Sequence, residues 1–181
     1  MSKTIQLHDL DFELFIDNAR IQQRIKVLGA ALAEQYEDKC PIFLAILNGS
    51  FVFAADLVRA CGIPLETSFV KVASYEGIKS SGHVSTLIGL TENIKGRHIV
   101  LIEDIIDTGG TIHQFLPELQ EKQPQSIRVV SFLSKPDALQ YPLSIDYVGF
   151  EIPNKFVVGY GLDYNGLGRN LPDIYQLIER K

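Results

Sequence analysis

The chain has 181 residues, with 17 Lys and Arg against 22 Asp and Glu, for a formal net charge of −5. An apolar fraction of 46% and 22% charged residues exclude a disordered or fibrous chain and fit one domain with a full core. No apolar run approaches the ~20 residues that span a bilayer, and the acidic balance argues against a duplex-binding protein. The first nine residues lack the apolar core of a signal peptide, and Cys40 and Cys61 form no Cys-x-x-Cys motif. The composition therefore predicts a single domain, residues 1–181, in a reducing, cytoplasmic setting.

In chain order, Phe12–Ile16 reads as a short strand. Asp17 is placed to cap a helix whose apolar residues recur at Ile21, Ile25, Leu28 and Leu32. Pro41–Leu47 is a continuous apolar run, the mark of a strand buried on both faces. Asn48-Gly49-Ser50 follows, then a helix over Phe51–Ala60 with Gly62 past its end. Leu65–Ala73 is a further strand, leading into Ser74–Gly82, a Ser- and Gly-rich loop. His98–Ile102 reads as a buried strand and Thr111–Leu119 as its helix, with Pro117 in the middle. Ile127–Leu133, Ile145–Phe150, Phe156–Gly161 and Ile174–Ile178 complete a strand-rich second half. Strands alternating with helices predict an α/β fold, a mostly parallel sheet flanked by helices. Ligands of such sheets bind beyond the carboxyl ends of the strands, which directs attention to Asn48 and Glu103.

The richest stretch is Glu103-Asp104-Ile105-Ile106-Asp107-Thr108-Gly109-Gly110-Thr111. Amides of a Thr-Gly-Gly-Thr turn entering a helix make an anion site, and the glycines let backbone approach a phosphate closely. Carboxylates beside a phosphate repel it unless a cation or sugar hydroxyls lie between. The combination points to a phosphorylated sugar bound with Mg²⁺, a hard ion that uses few carboxylates. It is neither a Walker A loop nor a dinucleotide fingerprint.

This stretch resembles the phosphoribosyl-diphosphate signature of type I phosphoribosyltransferases, in its hypoxanthine–guanine form. Leu47-Asn48-Gly49-Ser50, Ser74-Tyr75, Lys135, Phe156–Tyr164 and Arg169 match the family in order, and the likeness covers roughly residues 40 to 175. It implies a central parallel sheet with a small hood built from chain-terminal segments. By the resemblance, Asp107 is the general base that takes the purine N7 proton. Glu103 and Asp104 serve the ribose hydroxyls, directly or through Mg²⁺ waters, and Asp107, Thr108, Gly109, Gly110 and Thr111 cradle the 5-phosphate. Asn48, Gly49 and Arg169 meet pyrophosphate, and Asp163 joins Glu103 and Asp104 as a metal residue. Lys135, Phe156, Val157 and Asp163 hold the purine, while Ser74 and Tyr75 begin a closing loop. The resemblance also implies small-molecule partners only and a homodimer or homotetramer.

Each residue has a plainer reading. Lys135 before Pro136 suits a solvated loop lysine, Phe156 a core residue, Asp163 and Arg169 a loop ion pair, and Asp107 a helix N-cap. Cys40 and Cys61 read as small buried hydrophobes. His8, His83, His98 and His113 have no metal-ligand spacing. One departure concerns position 48, where the family commonly carries a basic residue and this chain has Asn. Two competing functions share these features: a xanthine–guanine enzyme, and a nucleic-acid-binding regulator on the same fold.

Overall fold

A computed structural model describes residues 3–73, 85–90 and 92–179. Its larger layer is a six-stranded sheet of β3 (Ile42–Leu47), β4 (Glu66–Ala73), β5 (Ser85–Ile88), β6 (His98–Ile106), β7 (Ser126–Ser134) and β8 (Tyr147–Glu151), in the order β5-β4-β3-β6-β7-β8. All neighbours pair in parallel except β5, which is antiparallel to β4. The continuous apolar runs of β3 and β6 follow from this placement: as central strands they are covered on both faces. Phe43, Ala45, Val100 and Ile102 face α1 (Asn18–Tyr36) and α2 (Phe51–Cys61), whereas Ile42, Leu44, Ile99 and Leu101 face α3 (Gly110–Glu121).

Asp17 caps α1, its carboxylate accepting from the Arg20 amide at 2.9 Å. The buried stripe Ile21, Ile25, Leu28 and Leu32 is the one the helical spacing predicts. Gly29 lets α1 close onto α2, since a Cβ there would stand 2.7 Å from Ala60. Arg24 on α1 reaches the sheet edge, donating to the carbonyls of Val148 at 2.7 Å and Gly149 at 2.8 Å on β8.

A second, antiparallel sheet has the order β1-β2-β10-β9, from β1 (Thr4–Leu7), β2 (Leu10–Ile16), β9 (Val157–Val158) and β10 (Ile174–Leu177). Both ends of the chain build it, as the resemblance implied: Ile16 pairs with Ile174 and Tyr175 with Val158. Phe12, Val158 and Tyr175 form its core. Asp173 fastens the two ends, accepting from Lys3 Nζ at 2.5 Å, the Asn18 amide at 2.8 Å and the Tyr175 hydroxyl at 3.1 Å.

Several features differ from expectation. The strand predicted to end at Ile102 runs to Ile106, so Glu103 and Asp104 lie within β6. The predicted strand Phe156–Gly161 shrinks to two residues, because Gly159, Tyr160 and Gly161 all have positive φ and turn the chain. α3 begins at Gly110 with Gly109 at its N-cap, so Asp107 is not the cap. Cys61 is buried as expected, but Cys40 is exposed, at a positive φ of 42°. The predicted loop Ser74–Gly82, with Ser74 and Tyr75, lies outside the described residues.

Candidate active site

The site lies at the carboxyl ends of β3, β6 and β7. Consecutive strand residues face opposite sides of a sheet, and this divides the acidic pair at the end of β6. Glu103 lines a cleft of about 90 Å³ together with Ile105, Ile106 and the turn from Asp107 to Ile112. Asp104 instead meets the Asn48–Gly49 turn, so closely that a Cβ at Gly49 would overlap its carboxylate. Two adjacent carboxylates thus serve two walls of the site.

The cleft is lined by a glycine turn and the first residues of a helix, the elements from which a cradle for an anion is built. Gly109 sits at φ 82°, a left-handed conformation that costs glycine little, and swings the chain into α3. The first helical turn leaves amide N–H groups with no carbonyl partner inside the helix, and its residues Gly110, Thr111 and Ile112 line the cleft. Behind the turn, the amides of Gln140 and Tyr141 donate to the Thr108 carbonyl at 3.0 and 3.3 Å. The Tyr141 ring stacks on His113 at 4.8 Å and lies beside Gly110, within ordinary contact of where a Cβ would stand.

Lys135 follows β7 directly. It is only 6% exposed, not the solvated residue its polar neighbours suggest. Its amide donates to the Ile106 carbonyl at 2.9 Å, and its ammonium donates to Asp107 Oδ2 at 2.7 Å. Asp107 itself is half exposed. A buried ammonium facing a carboxylate at the cradle rim gives one donor and one acceptor side by side, as a heterocycle with both an acceptor and an N–H requires.

Burial shapes the acids as well. Glu103 is held well above the usual carboxylate range by desolvation and then by the charge of Asp104. Asp104 is pushed up to about 6 by desolvation, which outweighs the opposing backbone hydrogen bonds and the charge of Arg169. Each carboxyl would be relieved by a nearby cation. Among the described residues, no three His, Cys, Asp or Glu side chains are arranged to hold a metal ion. An ion bound here would keep waters in its shell, which is how Mg²⁺ behaves.

The third wall is the loop after β9. Arg169 pairs with Asp163 at 2.6 Å and donates to the Gly161 carbonyl at 2.7 Å, while Asp163 also accepts from the Gly166 amide at 2.7 Å. This loop touches the Asn48–Gly49 turn: a Cβ at Gly161, whose φ is 104°, would overlap the Gly49 carbonyl. The turn contains a cis Leu47–Asn48 peptide, and the Ser50 hydroxyl closes it by donating to Ile46 at 2.5 Å. Phe156 is not core. It is 43% exposed, its ring edge-on to Tyr164 at 5.9 Å and tilted against Phe12 at 6.1 Å. Val157 is buried beside it.

Among the described residues, those that match the resemblance lie at the carboxyl ends of β3, β6 and β7 and around β9 and the loop that follows it. The phosphoribosyl transferase domain model matches residues 16–165. The chain belongs to the phosphoribosyltransferase family. It is 39% identical over 175 residues to the hypoxanthine-guanine-xanthine phosphoribosyltransferase of Tritrichomonas foetus, covering 96% of this chain and 95% of that one. It is 40% identical over 168 residues to the hypoxanthine-guanine phosphoribosyltransferase of Bacillus subtilis, covering 92% and 93%. Among solved structures, a hypoxanthine phosphoribosyltransferase from Staphylococcus aureus superposes with a TM-score of 0.88 at 38% identity, covering 92% of this chain and 91% of that one. These likenesses confirm the fold expected from the resemblance, the mostly parallel sheet with its antiparallel companion.

Two parts of this phosphoribosyltransferase carried no signal in the sequence. Tyr141 and His113 back the cradle from separate segments, and Asp56 of α2 reaches the third wall through Tyr160. Only the two glycines flanking Tyr160 marked that wall as tightly turned. No helix of the described residues is long and apolar enough to cross a membrane.

Proposed function

We propose that the chain is a purine-salvage phosphoribosyltransferase, transferring the 5-phosphoribosyl group from its diphosphate to N9 of hypoxanthine and guanine and releasing pyrophosphate. The observation that carries this is the Lys135–Asp107 pair at the rim of the Thr108–Thr111 cradle, in a chain of this family. The 5-phosphate sits on the cradle amides and the Thr108 and Thr111 hydroxyls. Asp107 takes the N7 proton as N9 attacks the ribose C1, and Lys135 donates to the purine O6. Phe156 covers the ring face, and backbone of Val157 and Asp163 reads the N1–C2 edge. The Asn48–Gly49 turn and Arg169 receive pyrophosphate. Asn48 supplies no charge there, which places more of that work on Arg169.

Glu103, Asp104 and Asp163 would hold Mg²⁺ through its waters, and the ion when bound offsets the charge of the departing pyrophosphate. Burial with raised carboxyl pKa values supports that assignment for Glu103 and Asp104. EDTA is accordingly expected to abolish turnover and added Mg²⁺ to restore it, measured as pyrophosphate release. We assign the enzyme to one domain, to the cytoplasm, and to a homo-oligomer.

Purine choice follows from Lys135. Hypoxanthine and guanine present an acceptor at position 6, whereas adenine presents an amino donor and strands a buried ammonium. Sites built on hydrogen bonds reject such an analogue by ~10⁴ or more. The expected order of kcat/KM is hypoxanthine or guanine, then xanthine, then adenine. Pyrophosphate release by the purified chain, measured with each base in turn, tests the reading. Parity of adenine with hypoxanthine would overturn the role of Lys135. Parity of xanthine with hypoxanthine would align the chain with its Tritrichomonas relative.

A further inference from the structure

Tyr160 is 2% exposed and lies in the left-handed region at φ 48°, between two glycines that also have positive φ. Its ring packs on Phe132 at 4.9 Å, and its hydroxyl donates to Asp56 Oδ2 at 2.5 Å. Asp56 also accepts from Gln22 of α1 at 2.8 Å and from Arg59 one helical turn along. One carboxylate therefore gathers donors from α1, α2 and the loop after β9. Burial alone would raise the Asp56 carboxyl, yet these hydrogen bonds hold it below its ordinary value, so it is a charged acceptor at neutral pH. A phenylalanine would fill the same space without bringing a carboxylate out of water.

The neighbours of Tyr160 show what the bond can act on. Gly161 rests on the Gly49 carbonyl and offers its own carbonyl to Arg169. Gly49 in turn rests on Asp104. The Gly161–Gly49 contact is backbone against backbone, with no side chain between them to absorb a shift. A displacement of residue 160 therefore moves both the Asn48–Gly49 turn and the Arg169 anchor.

We propose that Tyr160 and Asp56 are a positioning pair, whose hydrogen bond sets the spacing between the Asn48–Gly49 turn and the Asp163–Arg169 loop and so governs affinity for the pyrophosphate group. Neither side chain need touch substrate. The proposal rests on the phosphoribosyltransferase reading, but its test does not need turnover.

The test is calorimetric titration of inorganic pyrophosphate with Mg²⁺ into the full chain. Tyr160→Phe keeps the ring and is expected to weaken binding about tenfold, the size of a lost hydrogen bond to a charged acceptor. Asp56→Asn retains an acceptor oxygen and should bind closer to wild type than Asp56→Ala. The double variant Asp56→Ala/Tyr160→Phe should be no weaker than Asp56→Ala alone. In the turnover assay, KM for phosphoribosyl diphosphate should rise in Tyr160→Phe while KM for hypoxanthine stays put. Unchanged pyrophosphate affinity, or equal losses for both substrates, would overturn the positioning role. If Tyr160→Phe does not fold, Asp56→Asn and Asp56→Ala decide, and equal affinities for the two overturn it. Wild-type protein that binds pyrophosphate without converting hypoxanthine would sink the functional reading and leave this comparison standing.

Discussion

Asp107 and Lys135 hold each other at 2.7 Å, and on the function proposed a purine enters between them. On that function, the ammonium would trade a carboxylate for the purine O6, and the carboxylate would be released to face N7. Asp107→Asn keeps the shape but cannot accept that proton. General-base assistance is typically worth ~10²–10⁴ in rate, so kcat should fall by that factor with a modest change in KM. Steady-state kinetics within about threefold of wild type would remove Asp107 from the role. Asn48→Lys should tighten pyrophosphate by adding a charge to the turn, read by calorimetry at low salt. Asp104 offers a test on stability. Its carboxyl is raised from 3.8 to about 6, so the folded chain holds this proton more tightly than the unfolded chain does. The metal-free protein should lose stability through this group as pH rises from about 4 to 6, by up to about 3 kcal/mol at about 1.4 kcal/mol per pKa unit. In urea titrations, the advantage of Asp104→Asn over wild type should therefore grow across that interval and level off above it.

At the scale of elements, the glycines divide into two kinds. Gly62 ends α2 at φ 65° with nothing near a substituted Cβ, so Gly62→Ala should cost about 1 kcal/mol, the left-handed penalty alone. Gly161 adds to its positive φ an overlap with the Gly49 carbonyl, so Gly161→Ala should cost about 3 kcal/mol or more. Urea midpoints of the two variants separate the cases. Strands with a continuous apolar run, such as Ile42–Leu47, and the stripe of α1 were legible because burial on two faces or one leaves a plain pattern. Thr4–Leu7 and Ser85–Ile88 were not, being four residues each at sheet edges where mixed side chains suffice. Glu103 and Asp104 obscured the true length of β6, since carboxylates usually mark a strand's end and here sit inside it. Among the site residues, a run such as Asp107–Thr111 could be read from spacing. The Lys135–Asp107 contact and the Tyr160–Asp56 bond join distant segments, and only the folded chain brings them together.

The whole molecule depends on joining its ends. Asp173 binds Lys3, the start of α1 and Tyr175, and it stands below its ordinary pKa chiefly through the hydrogen bond from Lys3. That stability is present above the unfolded carboxyl pKa near 4 and is lost as pH falls further. Asp173→Asn should therefore be less stable than wild type at pH 7, and the difference should shrink as the medium is acidified toward pH 3. The sign is opposite to that of Asp104, and the same urea series measures both. The pairing of β2 with β10 also sets an order on synthesis. Strands β3 to β8 are contiguous along the chain and can assemble while the remainder is still being translated. The second sheet cannot close until Ile174–Leu177 has left the ribosome. Until then Phe12 and its neighbours in β2 have no β10 to pair with, and Phe156 lacks its finished platform. A nascent chain stalled before residue 174 would present the Asp107–Thr111 turn without the finished second sheet, its N-terminal hairpin still lacking the strand it pairs with.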